Sequence, residues 1–328
     1  MVQINGWHRS RYYQHHATQS WIKYVLAILV CTWWYSISGI NNQFQKIDLN
    51  VSKLHPYQAS SQQKCRPLRD VSQYSTSTVH YPIDNPSTGR KNSKYDSCLQ
   101  FKCDWNSTTN THCDSFGPTI YDDPSKPPCC VHILRDMAAG FDNIMCQLGF
   151  EYFSSYGMLL GLVRSDKLIP WTSDNDYIAT ERTLAAMYDM TPKDKKVWDE
   201  HGLAFFFDNY YHRVCVTDTF MDGQLAKLWT TSSYEWYPLV YPYADIFIAK
   251  EIIHDKSNST EQDTLKDQLG CAHSMDYFRP AQRRGVYQNS FQVSMPSNPE
   301  KIIERVYGSS WRTPDREKKK HGDTKCRG

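Results

Sequence analysis

The stretch YGMLLGLVRSDKLIPWTSDND, residues 156–176, decides the fold and the chemistry of this chain. Its first half is apolar and flanked by glycines, which predicts a turn at Gly157 that enters a helix. Its second half ends in Asp174-Asn-Asp176, at the start of a predicted strand over residues 174–179. Because alternate residues of a strand face the same side of a sheet, both carboxylates are expected to point the same way.

A third carboxylate lies further along the chain. Asp245 belongs to the apolar segment YADIFI, residues 243–248, within a predicted strand over 239–249 that is broken by Pro242. Carboxylate oxygens are the ligands that hard divalent cations prefer, so three aspartates from two strands predict a metal-supported phosphoryl-transfer site. From spacing alone two other interpretations stay open: solvated turn residues for the Asp174–Asp176 pair, and a buried structural carboxylate for Asp245.

The segments around this block predict a mixed α/β domain. Apolar residues recur at helical spacing from Val131 to Leu148, and Gly149 ends that helix. A short strand is expected at Glu151–Ser155. The remaining predicted elements are a helix at 183–190, a strand pair at 203–207 and 211–217, and a late helix at 299–306, with the domain ending near residue 315.

The N-terminal region predicts a membrane anchor. Residues 21–40, WIKYVLAILVCTWWYSISGI, are long enough to span a bilayer and carry aromatic residues at both ends. Basic residues precede the apolar run, so residues 1–20 are expected in the cytosol and the rest in the lumen. A cleaved signal peptide is the alternative, and both interpretations send the protein into the secretory pathway. A buried soluble helix is the third.

Composition agrees with a lumenal protein. The formal net charge is +2, which gives no reason to expect a nucleic acid partner. The chain has 11 cysteines, as is typical of an oxidising compartment, and three Asn-x-Ser/Thr sequons at Asn50, Asn106 and Asn258. Residues 41–95 are polar and predict a stem, residues 96–130 are Cys-rich, and residues 316–328 form a basic, disordered tail.

The block at 156–176 resembles the LicD family of fukutin-like and fukutin-related phosphotransferases. Several separated motifs occur in the family order over roughly residues 129–315. Two departures are present, because Met158 replaces a threonine and Thr172 occupies the place of the first aspartate of the acidic motif. The matching residues are Tyr156, Gly157, Leu159, Leu160, Gly161, Arg164, Ile169, Pro170, Trp171, Asp174, Asp176, Asp245, Met295–Lys301, Tyr307, Gly308 and Trp311–Pro314.

The resemblance implies a nucleotidyltransferase-like α/β fold, with a mixed sheet flanked by helices, in residues 131–315. It also implies transfer of ribitol phosphate or phosphocholine from a CDP-linked donor to a hydroxyl of a glycan or glycoprotein, with CMP leaving. The protein is then expected to be a single-pass type II protein of the Golgi or ER membrane.

Roles for single residues follow from charge and from this resemblance. Asp174, Asp176 and Asp245 are predicted to be catalytic and to hold Mg²⁺ or Mn²⁺ against the donor pyrophosphate. The donor is expected to contact a second set of residues. That set comprises Gly157, Gly161, Arg164 and Lys167; Trp171 is expected to pack in the core and His212 to be structural rather than a base.

The cysteines before the first long helix leave two alternatives open. In the fukutin-related branch of the family a cysteine loop ending in a vicinal pair binds zinc, which by resemblance implies a structural Zn²⁺ site. Here that site would use Cys103, Cys113, Cys129 and Cys130, with Cys98 as a further candidate. Disulfide pairing is the default for lumenal cysteines. Cys146 is expected to be a core residue, and Cys215 and Cys271 either to pair or to stay free.

Two further functions compete with the CDP-dependent transferase. The substituted Thr172 favours a catalytically inactive relative that acts as a binding or scaffold subunit of a glycosylation complex. Transfer of mannose phosphate from a GDP donor is the other alternative. Binding of CDP, GDP and divalent metal distinguishes the three.

Overall fold

The computed structural model describes the predicted α/β domain and a short segment before it. The described residues are 65–74, 98, 103, 129–207, 212–220, 242–254 and 262–314. Predictions that lie outside them concern residues 1–20, the anchor at 21–40, the tail at 316–328, the three sequons and Cys113. Within the described residues, no helix has both the length and the apolar character needed to cross a bilayer.

A mixed sheet forms the core of the described region. Its seven strands are β1 (Phe153–Ser154), β2 (Asp174–Thr180), β3 (Leu203–Phe207), β4 (His212–Val216), β5 (Tyr243–Ile252), β6 (Thr264–Asp267) and β7 (Ala272–Ser274). The central strands β2 and β5 run parallel to each other and are flanked by antiparallel neighbours in the order β1-β2-β5-β4-β3, while β6 pairs with β5 and β7 with β6. A separate hairpin joins β8 (Gln282–Val286) to β9 (Phe291–Met295).

Helices cover both faces of this sheet. The described helices are α1 (Cys130–Leu148), α2 (Tyr156–Ser165), α3 (Glu181–Tyr188), α4 (Pro192–Glu200) and α5 (Pro299–Tyr307). On one face the Asn175 amide donates to the Leu134 carbonyl of α1 at 2.7 Å, and Tyr177 stacks on Phe141. On the other face α2 lies against β2, and α5 packs on α2. The mixed α/β architecture with flanking helices is therefore confirmed.

The segment of residues 65–74, which precedes the domain in the chain, is fixed to the C-terminal end of α1. Gly149 ends this helix with φ +71°, and a Cβ there would lie 2.5 Å from the Pro67 carbonyl oxygen. A disulfide joins Cys65 to Cys146, and the Arg69 amide donates to the Gly149 carbonyl at 2.7 Å. Residues 65–74 fall inside the predicted stem, yet this part of it lies on the domain.

Most elements with a clear apolar period are found where the sequence predicts them. The first long helix ends at Gly149, β3 and β4 pair antiparallel, and β5 begins directly after Pro242. The helix after β1 differs, because it starts at Tyr156 and contains the predicted turn at Gly157. Elements that the sequence analysis did not predict are α4 and the four short strands β6–β9.

Candidate active site

The three predicted aspartates lie on one face of the sheet. Asp174 and Asp176 are two residues apart on β2, and Asp245 on β5 is the register partner of Asp176. Paired residues of neighbouring strands point to the same side, so all three carboxylates face the side covered by α2. The three residues therefore share one face of the sheet, and their convergence on a metal ion stays a prediction.

Asp176 is the buried centre of this group, with a relative exposure of 3%. Its Oδ2 accepts a hydrogen bond from the Gly157 amide at 3.0 Å, and the Met158 amide also donates to this carboxylate. Burial raises the pKa of Asp176 well above its usual range, and the charges of Asp174 and Asp245 raise it further. The protein thus holds a buried carboxylate beside two like charges, an arrangement that a bound cation would relieve.

Asp245 forms a buried ion pair that the sequence analysis missed. Arg213 on β4 is its register partner, and the Arg213 Nε donates to Asp245 Oδ1 at 2.9 Å. The guanidinium also stacks over the Tyr243 ring at 4.5 Å. The available signal was a charged residue within the apolar strand segment His212–Val216, but its partner could be identified only from the strand register.

Asp174 is oriented by the residues that precede it. The Thr172 hydroxyl donates to the Asp174 carbonyl at 3.0 Å, and the Ser173 hydroxyl to Asp174 Oδ1 at 3.3 Å. From β5, the Tyr243 hydroxyl donates to Asp174 Oδ2 at 3.3 Å. Thr172 therefore takes the position of a carboxylate in the family pattern and serves here as a donor that shapes the turn before Asp174.

The helix start that faces Asp176 is held in an uncommon backbone conformation. Tyr156 has φ +39°, in the left-handed region that non-glycine residues rarely adopt. Its hydroxyl donates to Asp267 Oδ2 at 2.5 Å, and its ring packs edge-on against Phe247. Asp267 Oδ1 accepts from the Cys271 amide at 2.9 Å. The Tyr156–Asp267 bond therefore fixes the residue directly before the Gly157 amide.

Tyr156→Phe is expected to lower the free energy of unfolding by about 1–3 kcal/mol, because it leaves the Asp267 carboxyl buried without its phenol donor. The Phe ring keeps the contact with Phe247, so the loss reports the hydrogen bond. Chemical denaturation measures it. A matched control is Tyr74→Phe, which removes an exposed bond to Asp189 at 3.4 Å and should change stability by less than about 0.5 kcal/mol. Equal stabilities of the two variants would contradict the assignment.

The residues predicted to contact the donor lie in different environments. The Gly157 amide donates a hydrogen bond to Asp176, so in this structure the start of the helix binds a protein carboxylate. At Gly161 a Cβ would lie 2.7 Å from the Lys167 carbonyl oxygen, so close packing accounts for that glycine. Arg164 lies in the last turn of α2, and Lys167 is half-buried in the loop that follows.

His212 lies on the opposite face from the aspartates. It neighbours Arg213 on β4, so the two side chains point to opposite sides of the sheet. The Tyr188 hydroxyl lies 2.7 Å from His212 Nδ1, and burial lowers the pKa of this imidazole to about 4. The structural interpretation of His212 is supported.

The charges on the acidic face suit a divalent cation. Asp174, Asp176 and Asp245 with Arg213 leave a net charge of −2 when all are ionised. The oxygens of these three carboxylates do not all lie within 4.8 Å of one another. Among the described residues, the one group of three potential metal ligands that meets this distance is Asp267, Cys271 and His273. That group does not suit a metal, because Cys271 is in a disulfide and Asp267 is held by Tyr156 and the Cys271 amide. The aspartates would have to approach one another around a bound ion.

The cysteines form disulfides rather than a thiolate cluster. Cys103 is bonded to Cys130, and Cys129 is also in a disulfide, so three of the four predicted zinc ligands are oxidised. A zinc site needs thiolates, and the zinc alternative does not fit this structure. Cys146 is a buried core residue, as predicted, and it is also bonded to Cys65. Cys215 is bonded to Cys98, so neither predicted alternative, pairing with Cys271 or a free thiol, is found for it.

Comparison with known proteins gives limited support. No protein-family model matches the chain. A segment of 57 residues is 35% identical to the human ribitol 5-phosphate transferase FKRP. The match covers 17% of this chain and 12% of the human protein, so it supports a distant relationship.

Proposed function

We propose that this protein is a metal-dependent phosphotransferase of the LicD type in the lumen of the Golgi or ER. It moves ribitol phosphate or phosphocholine from a CDP-linked donor to a glycan hydroxyl. The observation that carries the proposal is the register of β2 and β5, which brings Asp176 beside Asp245 on the face that also bears Asp174. The disulfides support an oxidising compartment, and the human relative supports the reaction class.

In the proposed reaction the acceptor oxygen forms a bond to the phosphorus that carries the transferred group. The anhydride P–O bond breaks, and CMP leaves with the bonding electron pair. Asp174, Asp176 and Asp245 would hold Mg²⁺ or Mn²⁺, and the ion would supply positive charge that neutralises the pyrophosphate. One of the same aspartates takes the proton of the acceptor hydroxyl.

The alpha/beta arrangement supports the nucleotidyltransferase-like part of the proposal. The amide groups at the start of α2 bind the central carboxylate, and the third carboxylate comes from the next strand of the sheet. This construction fixes Asp176 relative to the helix and leaves Arg164, in the last turn of the helix, available for an anionic donor.

The substituted acidic position favours one alternative, a binding or scaffold subunit without activity. Thr172 provides no carboxylate and donates to Asp174 instead. If a carboxylate at position 172 is essential for catalysis, the protein has no transferase activity, whether it still binds nucleotide and metal or binds neither. The transferase is preferred because the remaining three carboxylates still share one face.

Release of CMP from its donor tests the proposal. The full chain is incubated with CDP-ribitol, CDP-choline or GDP-mannose in Mg²⁺ or Mn²⁺, with water as the acceptor so that no glycan has to be known. We expect metal-dependent CMP release from a CDP donor that chelation by EDTA stops. Release of GMP alone indicates the mannose-phosphate alternative, whereas no release of nucleotide from any donor, with or without binding of CDP and metal, indicates the scaffold.

A further inference from the structure

Tyr307, the last residue of α5, has an unpartnered hydroxyl on a helix that packs against α2. α5 packs on α2, the helix that covers the aspartates. The Tyr307 Oη is buried, and among the described residues it has no hydrogen-bond partner. The Nε of Arg164, on α2, is buried and unpartnered in the same sense. Buried polar groups are nearly always hydrogen-bonded, so two such groups at one site need an explanation.

Tyr307 interacts electrostatically with the catalytic candidates. Burial raises the pKa of Tyr307 above its ordinary value, the charges of Asp176 and Asp174 raise it further, and Arg164 lowers it. Burial likewise lowers the pKa of Arg164, which Tyr307 partly offsets. Tyr307 therefore stays a neutral phenol with one hydrogen to donate, next to a guanidinium that can only donate.

We propose that Tyr307 and Arg164 form an anion subsite that binds phosphate oxygens of the nucleotide donor. This inference rests on the proposed function and assigns a contact to Tyr307 that the sequence analysis did not. Both side chains offer donors, and phosphate oxygens are acceptors that take several hydrogen bonds. A phosphate there would satisfy the two buried atoms at once. The carboxylates on the adjacent strands would repel an anion without a cation, so binding is expected to require the metal.

The Tyr307→Phe variant separates a ligand contact from a structural role. It removes only a hydroxyl without a partner in the described protein, so the midpoint of thermal unfolding should be unchanged or higher. Calorimetric titration of the full chain with CDP in Mn²⁺ should show an affinity about 10-fold lower than that of the wild type. Without Mn²⁺ both proteins should bind CDP weakly.

Tyr188→Phe is the matched control on the opposite face. It removes the contact with the buried His212, so it should lower the unfolding midpoint while CDP affinity stays at the wild-type value. Equal CDP affinity of Tyr307→Phe and wild type would overturn the inference and leave the proposed function standing. A loss of stability in Tyr307→Phe with unchanged affinity would show a structural hydroxyl and overturn it too. Failure of the wild type to bind CDP with Mn²⁺ would overturn both proposals.

Discussion

Asp176→Asn is expected to lower metal-dependent CMP release about 1,000-fold, which corresponds to roughly 4 kcal/mol of transition-state stabilisation. Asn is nearly isosteric and keeps a carbonyl oxygen that can accept from the Gly157 amide, now 3.0 Å from Asp176 Oδ2. It removes the negative charge at the centre of the three carboxylates. The loss therefore reports the charge and not the shape of the side chain.

Stability should move in the opposite direction from activity. Burial and the neighbouring charges of Asp174 and Asp245 raise the pKa of Asp176, which means that its ionised form is disfavoured in the folded protein. Without metal, Asp176→Asn removes that unfavourable charge, so the free energy of unfolding at pH 7 is expected to be equal or higher. With saturating Mn²⁺ the wild type should gain stability and the variant should gain much less.

The control for this variant is Asp276→Asn, the same chemical change at an exposed position on the 3₁₀ helix Met275–Tyr277. It should leave CMP release and the Mn²⁺-dependent shift in unfolding midpoint at wild-type values. Full CMP release by Asp176→Asn would remove this residue from the catalytic site. A large loss of stability without metal would show that its charge is structural.

The sequence predicts those parts of the fold that have a strong apolar period. The helix over Val131–Leu148 is buried around most of its circumference, and Gly149 supplies the left-handed residue that ends it. Helix α4 was missed because it is highly charged, although Thr191 and Asp194 form a capping box around Pro192 at its first position. The short strands β6–β8 carry few apolar residues. Strand β9, FQVSM, alternates apolar and polar residues and was missed in spite of that signal.

The residues of the candidate site also differ in whether the sequence alone predicts them. Asp174 and Asp176 follow from strand alternation alone, because residues two apart share a face. Arg213 and Asp267 could not be predicted, since their partners Asp245 and Tyr156 lie 32 and 111 residues away and the pairing depends on strand order. The cysteine pairing was equally beyond the sequence, because many connectivities are compatible with the same set of cysteines.

Arg213→Met is expected to lower the free energy of unfolding by about 3–5 kcal/mol without metal. The Arg213–Asp245 pair is buried on both sides, with side-chain exposures of 6% and 10%, so the substitution leaves a buried carboxylate without its cation. Met keeps much of the volume over the Tyr243 ring. Urea denaturation measures the change.

Two controls identify the source of this loss. Arg312→Met removes an ion pair with Glu300 that is exposed, with side-chain exposures of 65% and 60%, and should cost less than about 0.5 kcal/mol. The double variant Arg213→Met/Asp245→Leu removes both buried charges and should recover most of the stability lost by the single variant. If the double variant is no more stable than Arg213→Met, lost packing rather than the buried charge explains the effect.

Stabilisation by a divalent metal ion distinguishes two roles of Asp245, that of a metal ligand and that of a structural partner of Arg213. Removing Arg213 changes the formal charge of the acidic face from −2 to −3, which should strengthen its attraction for a cation. If Asp245 is a metal ligand, saturating Mn²⁺ stabilises Arg213→Met by more than it stabilises the wild type, because the ion replaces the lost guanidinium. If Asp245 is only the structural partner of Arg213, the double variant Arg213→Met/Asp245→Leu, whose acidic face keeps the formal charge of −2, gains as much from Mn²⁺ as the wild type, and the metal site reduces to Asp174 and Asp176. The same denaturation curves thus measure the ion pair and test whether β5 contributes to the metal site.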